Sequence, residues 1–265
     1  MQKTNISYVT HSWNPLAMRC TPVSEGCQNC WHLRMCDRQK NNPLLSAEVR
    51  AAKAGGKPIF LDKDADVVMN AKENSKIAVQ FMGDLFHESI NIRGTEINRV
   101  FKLMGCSYAT FLVLTKRSDR MAKSIQFLYG DQFPDIFPNV WLGVSCENQE
   151  WADKRIPILL NIPAAVRWIS LEPMLEGYMI LPLKGVRQRN NGTIEEIPID
   201  WVIVGCESGP HRRPCKLKWV FDIVSQCKAA NVPCYVKQVE INGKVSHTPS
   251  EWPEELRVRQ MPERK

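Results

Sequence analysis

Apolar, β-branched runs alternate along this chain with amphipathic stretches, and the alternation predicts βα units rather than a sandwich or a bundle. Strands are expected at about Ile77 to Met82, Thr110 to Thr115, Val140 to Val144, Val166 to Leu171, Trp201 to Val204 and Cys234 to Val236. With Val79, Leu112, Leu142, Ile169, Val202 and Val236 as markers, the steps are 33, 30, 27, 33 and 34 residues, the length a βαβ unit needs. Between them, Ile97, Val100, Phe101 and Met104 fall at i, i+3, i+4 and i+7, as do Val220, Ile223, Val224 and Cys227. Ser118 and Asp119 open a helix with Met121, Ile125 and Leu128 on its inner face and Gly130 to stop it. Short helices suit Gln149 to Ile156 and, after Pro157, Ile158 to Asn161. Upstream, Ile6 to Trp13 reads as a first strand and Asn29 to Lys40 as a helix, whereas Lys184 to Pro198 reads as an exposed excursion. The fold class is α/β, in one domain spanning 1–265 with that excursion at about 184–198.

Composition narrows the class. A chain of 265 residues with 44% hydrophobic and 24% charged residues can bury a sizeable core. No run is long enough to span a membrane, and the opening Met-Gln-Lys-Thr-Asn leads into no apolar leader. A cytoplasmic protein without a membrane partner is expected. The net charge of +7 would suit nucleic acid, a nucleotide or another phosphorylated partner. The C-terminal Arg257, Arg259, Arg264 and Lys265 read as a solvated end.

Of ten cysteines only the first four cluster. Cys20, Cys27 and Cys30 form a C-x6-C-x2-C array in a loop containing Pro22, Ser24 and Gly26, which can bend to gather the sulfurs. Three thiolates can fix three corners of an iron-sulfur cluster and leave one iron open, whereas a closed zinc site wants a fourth protein ligand. Cys36 or His32 stands close enough in sequence to be that ligand, so both metals stay open at this point.

In barrels of parallel strands, active sites gather at the carboxyl ends, and here those positions are consistently polar. They are Gly83-Asp84, Lys116-Arg117, Ser145 to Asn148, Glu172, Gly205 to Gly209 and Lys237-Gln238. Any one of them could be a turn or a cap, but six in succession argue for a shared polar site. Asp84, Glu147, Glu172 and Glu207 can bind an amine, a ribose or a guanidinium, and Lys116, Arg117 and Lys237 can bind carboxylate or phosphate. The chain has no Walker loop, and Gly205 to Gly209 lacks the dinucleotide fingerprint, which argues against an ATP or nicotinamide enzyme. A thiol-imidazole pair such as Cys206 with His211 gains no support from spacing.

Together these residues resemble the Gp37/Gp68 phage protein family, a domain of unknown function similar to radical S-adenosylmethionine enzymes. The matching blocks are Ser12-Trp13-Asn14-Pro15, Gly26-Cys27-Gln28-Asn29-Cys30, Met82 to His87, Leu114-Thr115-Lys116-Arg117, Asn139 to Asn148, Ser170-Leu171-Glu172-Pro173, Val204 to Pro210 and Val236-Lys237-Gln238. The resemblance implies a partial or complete TIM-like βα barrel carrying a three-cysteine 4Fe-4S cluster that binds S-adenosylmethionine. Carried onto this chain, it makes Cys20, Cys27 and Cys30 the cluster ligands. Trp31 follows the last of them, where the family usually has Tyr, and stands with the cofactor. Asp84 would hold the methionine amine, and Ser145 and Glu147 the ribose; Lys116, Glu172, Glu207 and Lys237 would face the substrate. It further implies an external electron donor, a substrate that leans towards nucleic acid or a nucleotide, and room for an accessory protein. The first gap is six residues where the common radical-enzyme spacing has three, and Cys206 stands where the family usually has glycine. The other expectation, from a different class, is a zinc-stabilised nucleic-acid-binding or accessory protein without catalysis.

Overall fold

The computed structural model describes residues 1–188 and 192–263. The chain divides into two compact units, Met1–Trp141 and Leu142–Lys265, each an α/β unit with mostly parallel strands.

Unit 1 holds β1 (Gln2–Lys3), β2 (His11–Trp13), β3 (Leu16–Ala17), β4 (Ile59–Phe60), β5 (Lys76–Val79) and β6 (Thr110–Thr115). Its helices are α1 (Trp31–Gln39), α2 (Ala47–Ala54), α3 (Ala65–Met69), α4 (Thr95–Gly105), α5 (Ser118–Leu128) and α6 (Phe133–Ile136). β2 pairs parallel with β5 and β5 with β6, so the carboxyl ends of these three strands share one edge. β1 closes the side antiparallel to β2, and the small β3–β4 ribbon pairs Leu16 with Phe60 and Ala17 with Ile59 just before the cysteine segment. The strand interiors are apolar because both faces are covered: Ile77, Ala78, Val79, Phe111, Leu112 and Val113 are fully buried. Helix α4 contributes Ile97, Val100, Phe101 and Met104, the four residues its periodicity singles out. Phe101 also anchors an aromatic cluster with Tyr129, Phe133 and Phe137 at centroid distances of 5.3 to 5.8 Å. Fully burying one such ring stabilises by about 1.5–3 kcal/mol.

Two boundaries differ from the periodic reading. The first strand is only His11–Trp13, and β5 stops at Val79 rather than running to Met82. Gln80 ends it, in a left-handed conformation with φ 55°, and is itself fully buried. Its carboxamide accepts from the Leu16 amide at 2.9 Å and donates to the Leu16 carbonyl at 3.0 Å, two long-range bonds that offset the unusual backbone.

Unit 2 is entered through β7 (Val140–Ser145), which crosses the boundary between the units. It continues with α7 (Gln149–Asn161), β8 (Val166–Leu171), β9 (Lys184–Gln188), β10 (Ile194–Pro198), β11 (Trp201–Gly205), α8 (Leu217–Ala229), β12 (Cys234–Ile241) and β13 (Lys244–Ser246). β8, β11 and β12 are parallel neighbours, and β13 turns back antiparallel on β12. Gly143 makes room for Trp168, since a Cβ there would lie 2.4 Å from the indole. Trp168 in turn packs beside Trp201 at 5.8 Å.

Three expectations change in this unit. The two short helices around Pro157 are one helix, α7, which runs through the proline and buries Ile156, Leu159 and Leu160. The excursion at 184–198 is a β-hairpin, β9 against β10, whose inner face packs down: Ile197 is buried and Gly185 lies over Leu160. Residues 189–191 of that excursion lie outside the described residues. Arg257 and Arg259 are exposed, as expected of a solvated end, but the backbone there is tied down as far as Gln260. Val236 donates to the Val258 carbonyl, and the Arg259 guanidinium sits 5.4 Å from the Tyr235 ring and 5.3 Å from that of Trp252. Arg264 and Lys265 lie outside the described residues. Among the described residues no helix is long and apolar enough to cross a membrane.

Candidate functional site

In unit 1 the shared strand edge is organised by Arg117, two residues past the end of β6 and 6% exposed. Its Nε donates to Glu88 Oε1 and Oε2 at 2.8 and 2.9 Å. Nη1 donates to Asp84 Oδ2 at 3.1 Å and to Cys20 Sγ at 3.7 Å. Nη2 donates to the Thr21 carbonyl at 3.2 Å and to Thr21 Oγ1 at 3.0 Å. One guanidinium therefore joins the carboxyl end of β6, the segment after β5 and the start of the cysteine loop. A planar fork with five fixed donors can do this, and a lysine cannot.

Asp84, expected to hold a methionine amine, is buried and engaged at both oxygens. Oδ1 accepts from Phe86 N at 2.9 Å and Thr115 Oγ1 at 2.7 Å. Oδ2 accepts from Lys116 N at 3.3 Å as well as from Arg117. Three of the matching sequence blocks and the start of the cysteine loop are thus drawn together. Asn14 Oδ1 accepts from Met82 N at 2.8 Å, and the Thr21 amide donates to His87 Nε2 at 3.1 Å. Gly83, at φ 138°, lets Met18 pass, because a Cβ there would lie 2.8 Å from the Met18 sulfur.

The electrostatics follow from this crowding. Burial, seconded by the Asp84 carboxylate, pushes the Cys20 thiol up to about 12, with Arg117 opposing both. The bond from Arg117 holds Glu88 down at about 2. His87 is lowered, first by burial and then by Arg117, which agrees with its Nε2 accepting the Thr21 amide.

Cys20, Cys27 and Cys30 are free and half-buried, as donors for a metal should be. Cys27 closes a 3-10 turn, with its amide on the Ser24 carbonyl at 2.9 Å, and Cys30 follows with its amide on the Cys27 carbonyl at 3.2 Å. The donor set is three soft thiols on one loop, which fits an iron-sulfur cluster. Among the described residues no three His, Cys, Asp or Glu side chains stand converged on a metal position. Trp31, at the head of α1, is 51% exposed beside the loop. Cys36 is fully buried, with its sulfur 3.5 Å from the Met18 carbonyl and 3.5 Å from His32 Nε2. Burial first, and Lys53 second, lowers that imidazole to about 4 and keeps it neutral.

In unit 2 the strand ends carry three ion pairs. Glu147, completely buried, meets Arg155 Nη1 at 3.1 Å, and the same nitrogen donates to the Ser145 carbonyl at 2.6 Å. Arg155 comes from α7 and lies 3.9 Å from the Trp151 ring centroid. Glu172, just past β8, pairs with Lys237 Nζ at 2.8 Å. That contact spans β11, and Gly205 leaves the way clear, since a Cβ there would lie 2.9 Å from Glu172 Oε1. Lys237 occupies the register shift between Val204–Val236 and Gly205–Gln238, a bulge that re-aims its side chain. Glu207 is gripped by Arg213, whose Nη2 reaches Oε1 at 2.7 Å while its Nε and backbone amide reach Oε2 at 3.0 and 2.7 Å. Ser145 Oγ donates to the Glu172 carbonyl at 3.4 Å, so Ser145, Glu172 and Lys237 form one connected group.

Of the residues expected at a site, Cys20 and Asp84 are linked in unit 1 through Arg117, and Lys116 joins Asp84 by its backbone. In unit 2, Glu147 pairs with Arg155 and Glu207 with Arg213. From sequence Arg117 is only one of two adjacent cations, and Glu88, Thr115, Arg155 and Arg213 do not stand out. Glu88 directly follows the Met82 to His87 block, which is the signal that could have found it.

Comparison with known proteins adds a family without a function. The family described as a protein of unknown function (DUF5131) matches residues 3–257, and the chain belongs to it. No curated protein matches the chain. No solved structure matches it either.

Proposed function

We propose that this family member is a radical S-adenosylmethionine-type enzyme of the cytoplasm, with its parallel strands forming a partial or complete βα barrel. Cys20, Cys27 and Cys30 would hold the 4Fe-4S cluster. The observation that supports this is the attachment of a three-thiol loop directly to the carboxyl-end network of parallel strands through Arg117. When bound, the cluster supplies the electron for reductive cleavage of S-adenosylmethionine, delivered from an external donor.

The chain's own residues have the following parts in this reading. The loop offers three soft donors and no fourth from Cys36, whose sulfur is spent on Met18 and His32. Trp31, exposed at the start of α1, offers an aromatic face to the cofactor. Asp84 orders the loop's base through Arg117 rather than meeting the cofactor amine alone. Ser145 and Glu147 stand at the end of β7 for the ribose, with Glu147 paired to buried Arg155. Glu172 and Lys237, a pair with side chains 13% and 23% exposed, face the substrate with Glu207 of the same unit, and Lys116 is the further substrate cation at the strand edge of unit 1. Nucleic acid or a nucleotide suits the basic balance of the chain.

The test is anaerobic purification with iron, sulfide and zinc analysis, followed by incubation of reduced protein with S-adenosylmethionine. Iron, labile sulfide and 5'-deoxyadenosine are expected. Cys20→Ala should lose the cluster and Cys36→Ala should keep it. One zinc with no labile sulfide would overturn the radical reading in favour of a zinc-stabilised binding or accessory protein.

A further inference from the structure

Arg117 touches more of the cysteine loop than any structural clamp of the strand ends requires. Asp84 and Glu88 already satisfy its charge, at 3.1 and 2.8 Å, yet Nη1 also reaches the Cys20 sulfur and Nη2 takes both Thr21 oxygens. Its side chain is only 4% exposed, so these bonds are made out of water and have little competition from it. The neighbouring arginine, Arg120, shows the alternative: it donates to the carbonyls of Phe86, His87 and Ile90 and braces only the segment after β5.

We propose that Arg117 is the positioning residue of the cysteine loop. It orients the first thiol by a charge-assisted bond to sulfur, and Asp84 and Glu88 fix the guanidinium that makes it. A ligand sulfur that accepts such a bond carries less electron density, which favours the more negative, reduced state of a metal cluster and raises its potential. Lysine at this position would keep the charge, but one ammonium cannot reach Glu88, Asp84, Cys20 and Thr21 together.

The test has two arms. In metal-free protein, hydrogen exchange of the Thr21 amide and its neighbours should be at least about tenfold faster in Arg117→Gln than in the native chain, as lost charge-assisted bonds imply. In the reconstituted protein, the midpoint potential should become more negative in Arg117→Gln and move less in Arg117→Lys. If Arg117→Gln does not fold, by circular dichroism, Arg117→Lys carries both arms, with faster loop exchange the expected result. The second arm rests on the proposed radical chemistry, and the two failures are distinguishable. A native chain without labile sulfide overturns that chemistry and leaves the exchange arm to judge Arg117. A native chain with a cluster, and variants unchanged in exchange, overturn the role of Arg117. Faster exchange with an unchanged potential in Arg117→Gln would also overturn it, since Arg117 would then be a clamp without a bond to the ligand sulfur.

Discussion

Unit 1 ties its strand-end carboxylates to one cation, whereas unit 2 gives each of its three a cation of its own. Asp84 and Glu88 converge on Arg117, together with Cys20 and Thr21. Glu147, Glu172 and Glu207 take Arg155, Lys237 and Arg213 separately. A hub couples everything it touches, so a change at the loop is felt at two strands. Charge spread over three pairs can be removed at one of them at a time. Unit 1 therefore joins a loop to its strand ends through one side chain, and unit 2 distributes its charge over three.

The largest effect that would break this contrast lies in the best-buried pair. Glu147→Gln leaves Arg155, 2% exposed, without its counter-charge and should cost about 3–5 kcal/mol of stability in urea unfolding. Combined with Glu207→Gln it should be additive within about 0.5 kcal/mol, because the two carboxylates are paired to different arginines. Strong coupling would show that unit 2 also works as a network. A smaller effect is expected at Gly205→Ala. Its Cβ would stand 2.9 Å from Glu172 Oε1, which should push the carboxylate off Lys237 and cost about 1–3 kcal/mol. A neutral result would mean that Glu172 moves freely and that the ion pair is not held across β11.

The smallest effect sharpens the account of the hub. Glu88 sits at about 2 in the folded chain, below its ordinary 4.5, so the stability it adds is present above pH 4.5 and is lost as pH falls from 4.5 towards 2. Because its side chain is 55% exposed, solvent screening limits this to about 1 kcal/mol or less. Native chain and Glu88→Gln should differ in unfolding midpoint at pH 6 and converge near pH 2. A difference that persists at low pH would mean that Glu88 acts by packing and not by charge.

The parts of the fold readable in advance were those carried by local pattern. β6 and β8 run as expected, at Thr110–Thr115 and Val166–Leu171, because continuous apolar runs mark strands covered on both faces. Helix α4 buries the four residues that periodicity chose. What failed was what depends on distant partners. Nothing near Gln80 announces that Leu16 will take its carboxamide and end β5 there. Nothing in residues 184–198 says that Leu160 waits beneath Gly185. At the site, the polar residues after each strand were visible, but Lys116 and Arg117 are adjacent cations whose difference in role appears only once five donors find their acceptors.

The sequence by itself determined the α/β class, the order of the strands' polar ends and the three-thiol loop, because these follow from periodicity and spacing along the chain. Tertiary structure alone decided that Cys36 turns inward to Met18 and His32 while Cys20 turns to Arg117. Spacing brings a sulfur within reach of a site, but burial and hydrogen-bond partners, set by residues as far as 97 positions away, decide which sulfurs remain available.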